Sequence, residues 1–260
     1  MTHDSLIDWQ DAFANADYIP DGMQFPEIWE TRAAAFRKTC QAEFDLAYGP
    51  SPREVLDLFL PRAQPKGLAV IVHGGYWLAF DKSSWSDLAQ GAVELGWAVA
   101  MPSYTLAPDA SVPQITGQIA KAITFAANRI DGPIRLTGHS AGGHLVSRMA
   151  CQDTPLTKSI QERIERVVSI SGVHDLRPLL LHSMNDTLNL TPDTARAESP
   201  ALAQAVSGIE VTAWVGAHER PEFLRQSALL AENWRLQGVE THLVADPNRH
   251  HFDVIDGLKH

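Results

Sequence analysis

Gly138-His139-Ser140-Ala141-Gly142 reads G-x-S-x-G, and its flanks decide what the five residues mean. Before them, Ile134-Arg135-Leu136-Thr137 is short and alternates apolar with polar, as a strand does. After them, Gly143-His144-Leu145-Val146-Ser147-Arg148-Met149-Ala150 reads as a helix. A strand, a glycine-walled turn and a helix predict a nucleophile elbow. Ser140 is then held in a strained backbone conformation. Its hydroxyl stands at the carboxyl edge of a sheet and the amino end of a helix, where developing negative charge is favoured. Three fixed small residues occur by chance in about one chain in ten of this length. The flanks therefore carry the expectation more than the motif does.

A second motif agrees with the first. Leu68-Ala69-Val70-Ile71-Val72 is an apolar run of buried-strand type, and it ends in His73-Gly74-Gly75-Tyr76-Trp77. A glycine pair after an early strand lets backbone N–H groups approach a ligand closely. That loop predicts oxyanion donors around Gly74, Gly75 and Tyr76, joined by the N–H of Ala141, which follows the serine.

The 260 residues suffice for one large α/β domain, with 45% hydrophobic and 20% charged residues. A net charge of −10 argues against nucleic acid or an anionic membrane as partner. The expected partner is a small-molecule substrate, with a homodimer as the assembly to test. Cys40 and Cys151 are the only cysteines and read as buried free thiols. Met1-Thr2-His3-Asp4-Ser5 lacks the basic start of a signal peptide, and no apolar run approaches a membrane span, so a cytoplasmic protein is expected.

The strand expectations are Val55–Leu60, Leu68–Val72, Trp97–Met101, Ile134–Thr137, Arg166–Ser171, Glu210–Val215 and Glu240–Ala245. Helices are expected over Phe25–Cys40, Ser83–Leu95, Val112–Ile130, Gly142–Cys151, Pro221–Leu236 and Phe252–Lys259. Alternating strands and helices predict a mostly parallel, twisted sheet covered on both faces. Residues 1–50 are expected to form an arm near the site. Residues 175–206 are expected to make a short helical excursion over it, with no room for a large cap domain.

A serine hydroxyl needs a base, and the base needs an orienting carboxylate. In this fold the chain order is serine, acid, histidine. Glu219, in the loop after Val211–Val215, is the candidate acid, with Asp175 as its rival. The base is His250 or His251, after the last strand. Among eleven histidines, His3 and His260 are set aside as terminal, and His139 beside the serine is a candidate pocket residue. No Asp/His cluster accompanies the His250–His251 pair at metal spacing, so no metal or organic cofactor is expected.

The chain resembles the kynurenine formamidase (arylformamidase) branch of the α/β-hydrolases over almost its whole length. The segments that carry the resemblance are Tyr48-Gly49 with Leu56–Pro61, His73-Gly74-Gly75-Tyr76-Trp77, Gly138–Leu145, Ser171–Pro178, Pro221–Ser227 and His251-Phe252-Asp253. The resemblance implies Ser140 as nucleophile, His251 as base, and the acid at Glu219, where the family usually has Asp. Asp175 then reads as structural. The implied reaction is hydrolysis of N-formyl-L-kynurenine, in a pocket lined by Tyr76, Trp77 and arm residues such as Tyr18 or Phe25. A general carboxylesterase and a catalytically silent binding protein are the alternative readings.

Overall fold

The computed structural model describes residues 7–259; the signal-peptide reading of Met1–Ser5 and the terminal His3 and His260 lie outside them. Eight strands form one sheet: β1 Ala42–Ala47, β2 Val55–Phe59, β3 Leu68–Val72, β4 Ala98–Pro102, β5 Ile134–His139, β6 Ile164–Ile170, β7 Glu210–Gly216 and β8 Glu240–Asp246. Their spatial order is β1-β2-β4-β3-β5-β6-β7-β8. The pairs from β4 to β8 are parallel, and β1 and β2 join antiparallel at one edge. The chain crosses from β3 to β4 on one side and places β5 on the other. The crevice of such a sheet opens at that reversal, outside the carboxyl ends of β3 and β5.

The helices are α1 Trp9–Ala12, α2 Phe25–Arg37, α3 Gln90–Glu94, α4 Val112–Ala127, α5 Ala141–Met149, α6 Lys158–Gln161, α7 Asn185–Leu188, α8 Pro192–Ala197 and α9 Pro221–Leu236. Successive strand residues point to opposite faces, and each face has its own core. Leu68, Val70 and Val72 pack with α4, α5 and α9, while Ala69 and Ile71 pack with α2, α3 and the carboxyl-terminal turn. In α4, Ile115, Ile119 and Ile123 recur every fourth residue and are fully buried. Each such side chain contributes about 1.5–3 kcal/mol. Pro113 sits in its first turn, and the Ser111 N–H donates to Gln114 Oε1 at 2.8 Å.

Three expectations change. Strand β1 was not foreseen: its residues are largely exposed, and its register breaks between Glu43 and Leu46, so it lacks the alternation of a half-buried strand. The segment expected as one helix over 83–95 is a 3₁₀ run, Lys82–Ala89, kinked at Trp85 before α3. Lys82 turns inward there to bridge Asp57 and Asp45, at 2.9 and 2.7 Å, and Trp85 enters the second core. The last helix is likewise 3₁₀, over Val254–Lys259. Of the two free cysteines, Cys151 is buried and Cys40 only partly so. Among the described residues, no helix is long and apolar enough to cross a membrane.

Candidate active site

Strand β5 delivers Ser140 and α5 begins at the next residue. Ser140 has φ 56° and ψ −118°, a strained conformation for a residue with a side chain. The turn is tight on both sides. A Cβ added to Gly138 would lie 2.1 Å from the Gly142 carbonyl oxygen, and one on Gly142 would lie 2.1 Å from that of Val72. As the first residue of α5, Ala141 has an N–H with no acceptor inside its helix. The Ser140 N–H is tied to the Ile170 carbonyl at 2.8 Å.

The loop after β3 faces the serine. A Cβ on Gly74 would be 3.0 Å from Ser140 Cβ, so glycine permits this approach. Gly75, Tyr76 and Trp77 all have positive φ, at 106°, 52° and 60°. His73 braces the loop: it stacks on Tyr104 at 4.3 Å, and Nδ1 contacts the Gly74 carbonyl at 2.8 Å. Burial lowers its pKa to about 4, so it is neutral and Nδ1 is the donor.

His251, after β8, is buried, and its Nδ1 lies 2.7 Å from Glu219 Oε2. The other carboxylate oxygen accepts from the Gly216 N–H at 2.8 Å and from Ser171 Oγ. Glutamate thus reaches the imidazole from a loop that folds back on its own strand, with the Glu219 N–H on the Gly216 carbonyl. Asp175 is spent elsewhere. Both its oxygens take Arg177 at 2.9 Å. Burial raises its pKa, but these hydrogen bonds outweigh that and hold it below the usual value. His250 also turns away, edge-on to Phe25 at 5.3 Å and beside Asp253. Ser171 was not singled out from the sequence. It opens the Ser171–Pro178 stretch, and a serine closing a central strand there is the local signal that could have found it.

Ser140, His251, His139, Gly75 and Tyr76 line one cavity of ≈ 290 Å³. Its walls are Trp29, Phe80, Trp85 and Phe252, and its rim is Phe13, Ala14, Asn15, Ala16 and Asp17. Among the described residues no hydrogen bond joins Ser140 Oγ to His251, as is common before substrate binds. Trp77, expected in the pocket, is fully buried instead. It packs edge-on against His144 at 5.1 Å and anchors the glycine loop in the core. Tyr18 and Phe25 are outside the lining too. Tyr18 is 55% exposed, and Phe25 stacks behind Trp29 and Phe252. Residues 175–206 contribute nothing to the lining; they pack against the outside of the arm, with His182 edge-on to Phe13 at 5.9 Å.

Side-chain pairs hold the arm down. Tyr76 Oη donates to the Phe13 carbonyl at 2.7 Å and accepts from Asn15 Nδ2 at 3.0 Å. Arg220, next to Glu219, bonds Asp11 and stacks 3.6 Å from the Tyr18 ring. A larger open hollow of ≈ 660 Å³, near Phe36, Cys40 and Glu94, gathers no comparable set of nucleophile, base and acid. Among the described residues, no group of three His, Cys, Asp or Glu is placed to hold a metal ion.

The BD-FAE family model matches residues 56–226, from β2 through the Glu219 loop into α9. Kynurenine formamidase of Danio rerio is 27% identical over 232 residues, covering 85% of this chain and 78% of its own. A solved Silicibacter structure, described as a candidate thioesterase, is 49% identical with a TM-score of 0.93. That match covers 97% of this chain and 95% of the other. An esterase from the archaeon Pyrobaculum calidifontis shares the fold at 17% identity, with a TM-score of 0.72 over 91% of this chain and 86% of its own.

Proposed function

The chain is an α/β-hydrolase belonging to the BD-FAE family, and from that premise we propose that it hydrolyses aryl formamides, N-formyl-L-kynurenine first among them. The observation that carries the reading is the 2.7 Å contact by which the buried Glu219 Oε2 orients Nδ1 of His251, whose ring lines the same cavity as Ser140.

Ser140 attacks the formyl carbonyl while His251 Nε2 takes the hydroxyl proton. Glu219 fixes the imidazole with its proton on Nδ1 and stabilises the cation that forms. The N–H groups of Ala141 and of the Gly74–Tyr76 loop hold the oxyanion, each contributing on the order of 3 kcal/mol to barrier lowering. His251 then protonates the leaving amine, and water removes formate from Ser140 by the same route.

The cavity supports the formamide reading in three ways. It lies at the small end of the ligand-pocket range, which suits a one-carbon acyl group. Its walls are aromatic, which suits an aniline leaving group. Its lining holds no Lys or Arg, and its rim carries Asp17, which suits a substrate bearing an ammonium group. The Danio rerio relative adds a named precedent.

A second reading, an esterase or thioesterase on short acyl groups, uses the same machinery and is favoured by the Silicibacter structure. One panel separates the two: kcat/KM for N-formylkynurenine, its N-acetyl analogue, p-nitrophenyl esters of two to six carbons and an acetyl thioester. The formamidase reading requires formyl over acetyl by more than their intrinsic reactivity ratio. One misfitting methyl group is worth roughly 1–3 kcal/mol. A longer ester or the thioester as best substrate, with formylkynurenine barely turned over, overturns it.

A further inference from the structure

We infer that His139, the residue before the nucleophile, is a positioning residue for the base: its imidazole holds the backbone carbonyl of His251 and thereby sets where the His251 ring stands relative to Ser140. The inference rests on the reading of Ser140 and His251 as nucleophile and base, but not on the choice of substrate.

Sheet order creates the need for such a tie. Ser140 follows β5, and His251 follows β8, with β6 and β7 between them. No backbone ladder joins β5 to β8, so errors in two intervening strands would accumulate between nucleophile and base. His139 Nε2 spans the gap directly, 2.8 Å from the His251 carbonyl oxygen. A carbonyl only accepts, so Nε2 carries the proton and the tautomer of His139 is fixed. Burial, and next the neighbouring His251 imidazole, hold its pKa well below the usual value. His139 therefore stays neutral and keeps its donor while His251 gains and loses a proton 4.6 Å away.

The other restraints on His251 act on its ring. Glu219 grips Nδ1, and the Phe223 ring packs at 4.4 Å. Neither fixes the backbone from which the ring pivots. Around that backbone, the ties fall on its neighbours: the Arg249 carbonyl takes the His218 N–H, and the His250 N–H goes to Asp253. A misplacement of about 1 Å between reacting groups costs on the order of a hundredfold in rate.

The test uses His139→Gln, which retains an N–H donor, and His139→Phe, which keeps a ring without one. Active sites are counted by exhaustive labelling with a fluorophosphonate. Per-site kcat and KM are then measured on p-nitrophenyl acetate, p-nitrophenyl butyrate and phenyl acetate. The expected result is a ten- to hundredfold fall in per-site kcat for His139→Phe, by the same factor on all three esters, with KM within about twofold. His139→Gln should recover at least a third of the wild-type rate. A loss that differs tenfold between leaving groups, or that falls on KM, makes His139 a substrate contact and overturns the inference. So does a loss in labelled sites with per-site kcat unchanged, which marks a structural role alone. Because all three substrates are esters, failure of the formamidase reading leaves this outcome readable. A wild type that takes no label would instead count against the nucleophile.

Discussion

Ser140 and Glu219 are held from beneath by backbone, whereas the arm above them is held by side chains. The Ser140 N–H is fixed to the Ile170 carbonyl and the Glu219 carboxylate to the Gly216 N–H, both continuations of sheet strands. Phe13 and Asn15 are held by the Tyr76 phenol, and Asp11, whose side chain is 44% exposed, by Arg220. The floor is thus rigid to the extent that the sheet is. The roof rests on a few hydrogen bonds, an ion pair worth about 0.2–1 kcal/mol, and the burial of Trp9 and Phe13 against the core. Chemistry should therefore break at the floor and affinity should drift at the roof.

The widest separation between the two comes from Ser140, the proposed nucleophile. Ser140→Ala should fold normally and lose on the order of 10⁶ in kcat, with Tm within a few degrees of wild type. Retention of a tenth of the rate would remove Ser140 from the reaction. Next are the two carboxylates at the ends of β6 and β7. Glu219→Gln should lose about 10⁴ in kcat, because an amide cannot stabilise the imidazolium. Asp175→Asn should keep turnover within about twofold and cost about 1 kcal/mol of stability or less through its pair with Arg177. The reverse pattern would make Asp175 the acid.

A third measurement reads the floor through protons. Burial lowers the pKa of His73 from 6.5 to about 4, and those of His144 and His174 to about 3. Unfolding returns each to its ordinary value, so the unfolded chain binds more protons below pH 6.5. Their contribution is complete above that pH and is lost as pH falls toward 4 and then 3. Each histidine adds a slope of about 1.4 kcal/mol per pH unit within its window. Urea unfolding at pH 7 and pH 5 should differ by a few kcal/mol, and equal midpoints would contradict the buried neutral assignments. The smallest effect belongs to the roof. Asp11→Ala should raise KM no more than about fivefold with kcat unchanged, a shift that weakens as salt is added to the wild type. A tenfold fall in kcat instead would mean that the arm takes part in the chemistry.

The same contrast explains what could be read from sequence. The elbow, the glycine loop and the order of serine, acid and histidine are local or ordinal signals, and they led to Ser140, Gly74–Tyr76, Glu219 with Asp175 as rival, and the His250–His251 pair; the family resemblance then favoured Glu219 and His251. The roof has no such signature. Nothing in Phe13 or Asn15 announces that a tyrosine some sixty residues later will draw them over the site. Trp77 was misread for the converse reason: an aromatic beside a glycine loop has the same letters whether it turns toward the cavity or, as here, into the core against His144. Trp85 reached the cavity from a kinked 3₁₀ run, where helical periodicity gave no face to follow.

The crowding at Gly138 and Gly142 bears on how such a chain could diverge. With a neighbouring oxygen 2.1 Å from any added Cβ, neither position accepts even alanine without moving backbone, so these two glycines have no neutral replacements to explore. Latitude lies instead in residues 7–24, which reach the rim of the cavity from outside the sheet, so their replacement leaves the strands intact. A lineage acquiring a new substrate would be expected to rewrite this arm first and to carry its elbow through unaltered.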